Sequence, residues 1–233
     1  MEDYSLANSE NEKKILYDNA SQLGIILNED QIDLLCLFVD LLIEWNTKVN
    51  LIGIIERRRI IDELLLDSII PIPYLPEKGN LVDLGSGAGF PALIIKILKP
   101  DLEIKLIESN GKKVSFLKYV IHTLKLMGIT AINQRIERVA ESLMAWGCDV
   151  VTSRAMTSLE NVIKVSDPFL VSGGIIVGFL GKNGEEELVN IQDLLKAYQL
   201  AVKNSITYHL PEKDTERTTV LLQKTIVSNL SHY

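Results

Sequence analysis

The sequence predicts an α/β protein: a doubly wound, mostly parallel sheet of seven strands, with an antiparallel hairpin at one edge and a helical extension in front. Three observations carry this reading. From Leu81 onward, short apolar runs alternate with helical segments, a pattern that calls for crossover connections and helices on both faces of a parallel sheet. The first run, Leu81–Leu84, breaks into Gly85, Gly87 and Gly89, with Asp83 two residues before the first glycine. Glu108 closes the second run 19 residues after Gly89, close to where such folds place a carboxylate that grips a ribose.

The elements follow in order. Residues 1–79 read as the helical extension and residues 80–233 as the sheet domain. Glu10–Leu23 is periodic and ends at Gly24, a C-cap residue. Asn28 caps a helix through Asp30–Asn46, in which Ile32, Leu35, Phe38, Val39 and Leu42 recur at helical spacing. A further helix spans Arg57–Ile70 and is stopped by Pro71, Pro73 and Pro76. Strands are expected at Leu81–Leu84, Glu103–Ile107, Thr130–Asn133, Asp149–Thr152, Gly174–Phe179, Val202–Thr207 and Thr218–Gln223. Helices are expected near Ala92–Leu98, Lys112–Met127, Glu137–Ser142, Leu159–Phe169 and Glu185–Tyr198. The last two strands lack a long helix between them, so they form the edge hairpin.

Composition narrows the class. The 233 residues are 47% apolar and 24% charged, ordinary for a soluble globular protein. Asp33 and Asp40 interrupt the longest apolar stretch, so no membrane span is expected. The polar, acidic N-terminus resembles neither a signal nor a transit peptide, which predicts a cytoplasmic protein. Cys36 and Cys148 read as buried free thiols, and three histidines without paired spacing predict no metal site. The net charge of −7 argues mildly against a nucleic-acid partner. Its distribution does not: Lys105–Lys125 carries five lysines and one glutamate, and Arg57-Arg58-Arg59 forms a second basic cluster. Such runs are also ordinary solvated faces.

The glycine loop selects between cofactors. A dinucleotide site needs G-x-G-x-x-G, and here Phe90 occupies the place of the third glycine. A P-loop is excluded because no Gly-Lys-Ser/Thr follows. Asp-x-Gly-x-Gly-x-Gly is similar to the first motif of S-adenosylmethionine-dependent methyltransferases. That cofactor carries no phosphate; it needs room for a methionine chain and an acceptor for its ribose hydroxyls. Loop amides are expected to point outward at the start of the following helix, with Pro91 in its first turn.

The fourth strand then bears on the methyl acceptor. It is followed by Thr152-Ser153-Arg154-Ala155, with neither the Asn/Asp-Pro-Pro of amino-directed enzymes nor a placed cysteine. Cys148 lies at the wrong end of that strand. No general base is evident, which suits an acceptor with a free lone pair such as guanine N7. Transfer then requires only in-line placement.

Three runs make the resemblance specific: Val82–Pro91 (VDLGSGAGFP), Leu106–Leu117 (LIESNGKKVSFL) and Ser153–Leu159 (SRAMTSL). Together with Trp45-Asn46, Asn50-Leu51, Leu66-Asp67-Ser68 and Glu216-Arg217, they resemble the glucose-inhibited division protein B family, bacterial 16S rRNA guanine-N7 methyltransferases. The resemblance covers about residues 15–225. It implies a Rossmann-like class I methyltransferase sheet, S-adenosyl-L-methionine as cofactor, and methylation of a guanine in the 530 loop of 16S rRNA; a monomer is expected. Carried over, the family's cofactor contacts fall on Gly85, Phe90, Ile136, Glu137 and Arg154. The general methyltransferase pattern adds Asp83, Gly87, Gly89 and Glu108, and Arg154 is the expected catalytic residue. Three departures stand out: Glu63-Leu64 where the family has Arg-His, Leu180 in place of a lysine with Lys182 nearby, and Thr218-Thr219 in place of His-Leu.

Several residues admit two roles. Asp83 orients the loop or meets the cofactor's amino group; Phe90 lines the pocket or packs under the helix. Arg154 holds a carboxylate or the base, or forms a surface ion pair. Lys112, Lys113, Lys118 and Lys125 are the expected RNA contacts, with Arg57–Arg59 assisting; Ser115, Lys118, His122 and Lys125 share one helix face. Other readings are a small-molecule methyltransferase, a nicotinamide enzyme, and a non-catalytic protein that binds the cofactor as a regulatory ligand.

Overall fold

The computed structural model describes residues 2–154, 158–182, 184–210 and 216–226, with side chains from residue 10 onward. Four strands alternate with helices in the first half of the sheet: β1 (Gly79–Leu84), β2 (Leu102–Glu108), β3 (Ile129–Asn133) and β4 (Cys148–Ser153). They are followed by β5 (Leu170–Leu180), β6 (Leu200–His209) and β7 (Glu216–Lys224). The strand order is β3-β2-β1-β4-β5-β7-β6. All pairings are parallel except those of β7, which runs antiparallel to both β5 and β6. The expected antiparallel pair at the edge is therefore present, with β7 inserted between β5 and β6. The chain reverses its winding between β1 and β4, and ligands of such sheets bind beyond the carboxyl ends of the strands at that point.

Every strand extends one or more residues past its apolar run, because ladder pairing continues where the side chain no longer signals it. The helices differ more. α1 (Glu2–Gln22) starts before the expected Glu10, and α2 (Glu29–Asn46) is capped by Asn28, whose side chain accepts from the Gln31 amide in a reciprocal capping box. The helix expected over Arg57–Ile70 is broken into α3 (Arg57–Ile60), a π-turn over Ile61–Leu65 and α4 (Leu66–Ile69). Next come α5 (Ala92–Leu98), α6 (Gly111–Thr123), α7 (Ile136–Trp146) and α8 (Leu159–Ser166). The single helix expected over Glu185–Tyr198 is two, α9 (Gly184–Asn190) and α10 (Gln192–Ala197). α6 stops short of Met127 because Lys125 adopts a left-handed backbone at φ 52° and Gly128 follows at 66°.

The two faces of the sheet are filled differently. On one face α1, α2 and the segment to Leu75 pack with α5 and α6 in one continuous apolar core. Phe38 of α2 sits edge-on to Phe90, with ring centroids 5.1 Å apart, and reaches Phe116 of α6 at 6.5 Å. Trp45 lies over Phe116 and Tyr119 at the end of α2. The following Asn46 folds the loop after it, accepting from the Leu51 and Ile52 amides and donating to the Ile52 carbonyl. The other face is covered by α7 to α10. No described helix is long and apolar enough to cross a membrane.

Candidate active site

At the carboxyl ends of β1 to β4 lies a crevice of about 590 Å³. It is lined by Gly85 and Gly87 after β1, Glu108 at the end of β2, Lys113 of α6, Ile136 and Glu137 at the start of α7, and Arg154 after β4, which lies at the other end of the row β3-β2-β1-β4. Segments far apart in the chain thus converge, while Leu180 and Gly181 at the end of β5 line a different cavity; the volume suits a nucleoside-sized ligand.

The glycine loop is tied to the end of β2. The Gly85 and Ser86 amides both donate to the Ile107 carbonyl, Gly89 donates to Ser86, and Gly87 donates to Glu108 Oε2 at 2.9 Å. The expectation of outward-pointing loop amides is corrected: these four are spent inside the protein. α5 starts only after Pro91, which serves as its N-cap residue. A phosphate would find little to bind here, whereas a phosphate-free nucleoside needs only the space.

The glycines have separate jobs. Gly87 has φ +55°, and a Cβ built on it would meet only the Gly85 carbonyl oxygen, at 3.7 Å, so that position is open. Gly89, at φ +94°, would place a Cβ 2.2 Å from Leu93 Cδ1. It permits close packing of α5 and is absent from the crevice lining. Phe90 is likewise turned away; its ring is buried in the core against Phe38.

Glu108 is the hinge of the site. Besides Gly87, its Oε1 accepts from the Asn110 amide at 2.7 Å, and Asn110 in turn caps α6. A carboxylate has about four acceptor positions, so two remain for ribose hydroxyls. Asp83 lies beneath the loop, fully buried, with Oδ1 accepting from Thr152 Oγ1 at 2.6 Å and Oδ2 without a partner among the described residues. Burial pushes its carboxyl up to about 7, with the neighbouring Glu108 charge adding to the effect. The open cradle at Gly87 and the spare acceptors of Glu108 fit a polar nucleoside cofactor; Asp83, like Gly89, is absent from the crevice lining and supports the loop from below.

Arg154 lines the crevice, yet its guanidinium is engaged elsewhere. Nη1 donates to the Leu64 carbonyl and Ser68 Oγ, Nη2 donates to the Glu63 carbonyl, and the Asp67 carboxylate lies 2.9 Å from Nη2. The contact is a buried ion pair, not a surface one. The departures at Glu63 and Leu64 are also explained: their backbone carbonyls do the binding, and any residue supplies those. Neither Asp67 nor Arg217, which joins the same cluster, was marked by sequence reasoning as a site residue; only their place in quoted motifs drew attention to them. Residues 155–157 of the Ser153–Leu159 run lie outside the described residues.

The basic clusters are corrected in part. Arg57 pairs with Glu12 and Asp40, Arg58 with Asp62 and Arg59 with Glu63, so this cluster is neutralised. Lys105 lies over the Trp146 ring, and Lys113 lines the crevice. Lys118, His122 and Lys125 remain exposed along a separate open groove between α6 and the edge strand β3. Cys148 is buried and its thiol is pushed up to about 12 by burial; Cys36 is half-buried and shifted likewise, with Glu12 adding to the effect. Among the described residues no group of His, Cys, Asp and Glu is arranged to hold a metal.

Comparison with known proteins agrees with this geometry. The family model for rRNA small subunit methyltransferase G matches residues 31–217. Ribosomal RNA small subunit methyltransferase G of Geobacter sp. (strain M21) is 34% identical over 210 residues, spanning 90% of this chain and 96% of that one. The protein of the same description from Acetivibrio thermocellus is 33% identical, over 91% of this chain and 88% of its own. Among solved structures, M. jannaschii TYW2 in complex with AdoMet aligns with a TM-score of 0.58 over 75% of this chain and 80% of that chain. At 15% identity this likeness concerns the fold alone.

Proposed function

Because the chain belongs to the rRNA small subunit methyltransferase G family, we propose that it transfers a methyl group from S-adenosylmethionine to N7 of a guanine in the 530 loop of 16S rRNA. The observation that carries the cofactor is the glycine loop tied through Gly87 to Glu108. Glu108 holds the ribose hydroxyls with its spare acceptor positions while keeping the loop in place through Gly87. Gly85 and Gly87 leave room for the methionine chain, and Ile136 and Glu137 close the far side.

The bound cofactor supplies an electrophilic methyl group. Guanine N7 presents a lone pair at neutral pH, so no residue has to remove a proton. In keeping with this, neither His nor Cys lines the described crevice. Catalysis then comes from orientation and exclusion of water. Arg154 acts at the chemistry through its fixed charge at the crevice end, not by abstracting a proton. RNA is held by Lys118 and Lys125, with Lys112 and Lys113 at the helix start. The protein works in the cytoplasm as a monomer.

The test is methyl transfer from labelled cofactor to rRNA from cells lacking the gene. The product should be 7-methylguanine, which borohydride and aniline convert to a strand break, giving a primer-extension stop in the 530 loop. Label on adenine or cytosine overturns the reading. Calorimetric titration should show binding of S-adenosylmethionine and no preference for NAD.

A further inference from the structure

Asp67 lies in α4, at the centre of a buried cluster of polar groups, and is 1% exposed. Arg154 Nη2 stands 2.9 Å from its Oδ2, and Arg217 Nη1 stands 3.1 Å from its Oδ1. Tyr208 Oη donates to Oδ1 as well, and burial next to this carboxylate pushes the phenol pKa up, so Tyr208 stays a donor. One carboxylate therefore faces two guanidinia. The Arg154 side chain is mostly buried, and only Arg217 has appreciable contact with solvent.

Stability alone does not account for this arrangement. Desolvation of buried ions commonly offsets their attraction, and apolar packing of equal volume does as well or better. Two guanidinia share the Asp67 carboxylate, and the Glu63 charge also acts on Arg154. The arrangement does fix direction. An arginine side chain has many rotamers, and Arg154 lies just beyond β4 at the crevice wall. Asp67 anchors one of its terminal nitrogens, and the π-turn Ile61–Leu65 brings the Glu63 and Leu64 carbonyls to both. π-turns of this kind are frequent at functional sites.

We propose that Asp67 is a positioning residue for methyl transfer, contributed by the N-terminal helical segment, which holds the Arg154 guanidinium at the end of the cofactor crevice. This role rests on the methyltransferase reading above. Arg217 and Tyr208 brace the carboxylate from the side of the β6–β7 hairpin, so three separate parts of the chain meet on one oxygen pair.

The test is steady-state methyl transfer to unmodified rRNA by the full chain, with cofactor Kd and melting temperature measured alongside. Asp67→Asn should lower kcat at least tenfold while cofactor Kd changes less than threefold. Tyr208→Phe removes a hydrogen bond from the same carboxylate but leaves both ion pairs. It should lower the melting temperature and cost less kcat than Asp67→Asn, because both ion pairs of the carboxylate remain. Adding Asp67→Asn to Arg154→Ala should cause no further loss of kcat. Parental kcat in Asp67→Asn, or losses that multiply in the double variant, overturns the role alone. A wild type that transfers no methyl group to rRNA overturns the function and this role together. Should Asp67→Asn fail to fold, the wild type still decides the point by NMR. Resolved, slowly exchanging Arg154 Nη–H signals are expected, and a freely rotating guanidinium overturns the proposal.

Discussion

Asp83 shows what a single residue contributes. Its carboxyl is fully buried with one oxygen unpartnered, and its pKa is raised from 3.8 to about 7. A carboxyl raised in the folded state adds stability that is complete below its unfolded pKa and is lost as pH rises through the folded value. Wild-type stability should therefore fall between about pH 4 and pH 7, by at most about 1.4 kcal/mol per pH unit from this group. Asp83→Asn keeps an acceptor for Thr152 and removes the titration. Urea unfolding of both proteins at pH 5 and pH 8 should show the variant gaining on the parent at the higher pH, and an equal difference at both pH values refutes the assignment. The loop glycines should separate just as clearly. Gly87→Val should abolish cofactor binding by filling the open cradle, at a backbone cost of about 1–3 kcal/mol for the left-handed φ. Gly89→Ala should instead unfold the α5 packing, because its Cβ meets Leu93. Glu108→Ala should weaken cofactor binding by about 2–4 kcal/mol, the worth of one or two charge-assisted hydrogen bonds. Calorimetry against thermal melting distinguishes a binding loss from a folding loss.

At the scale of elements, α6 is where sequence and structure divide the work. Of its buried residues, Leu117 and Val120 were readable from periodicity, and so was the exposed row of Ser115, Lys118 and His122; Val114 and Phe116 were not. Its end was not, since Lys125 leaves the helix through a left-handed backbone that its side chain does not announce. The arginine run shows the same limit. Arg57, Arg58 and Arg59 look like a basic patch in sequence, but the acidic partners of Arg57 come from α1 and α2, and those of the other two from one turn further along. Of the lysine cluster, Lys112, Lys118 and Lys125 remain exposed. Replacing Lys118 and Lys125 together with glutamate should weaken rRNA binding and reduce its log–log salt slope by about one to two. Cofactor affinity should be unchanged, because neither residue lines the crevice. If the double variant methylates like the parent at moderate salt, this face is a solvated surface and the RNA path lies elsewhere.

For the whole molecule, the alternation of strands and helices and the spacing of Asp83, the glycines and Glu108 were local enough to read, because each is dictated by neighbours in the chain. The cluster around Asp67 was not, because it joins α4, the end of β4 and the β6–β7 hairpin, and only the folded sheet brings these together. The aromatic centre is of the same kind. Phe38, fully buried, touches Phe90 just beyond the glycine loop and Phe116 in α6, so the helical front and the sheet share a core that no single segment shows. This makes a definite prediction about cooperativity. If the front helices and the sheet are one folding unit, Phe38→Ala should cost about 3–5 kcal/mol, the usual penalty for emptying a large buried ring. Tryptophan fluorescence, from Trp45 in the front and Trp146 in the sheet half, and far-ultraviolet dichroism should then report one shared urea transition at a lower midpoint. Cofactor affinity should fall as well, since Phe90 loses its edge-on partner one residue after Gly89. Two separate transitions, with only the one seen by Trp45 displaced, would mean that the front helices fold on their own and that Phe38 does not hold the loop.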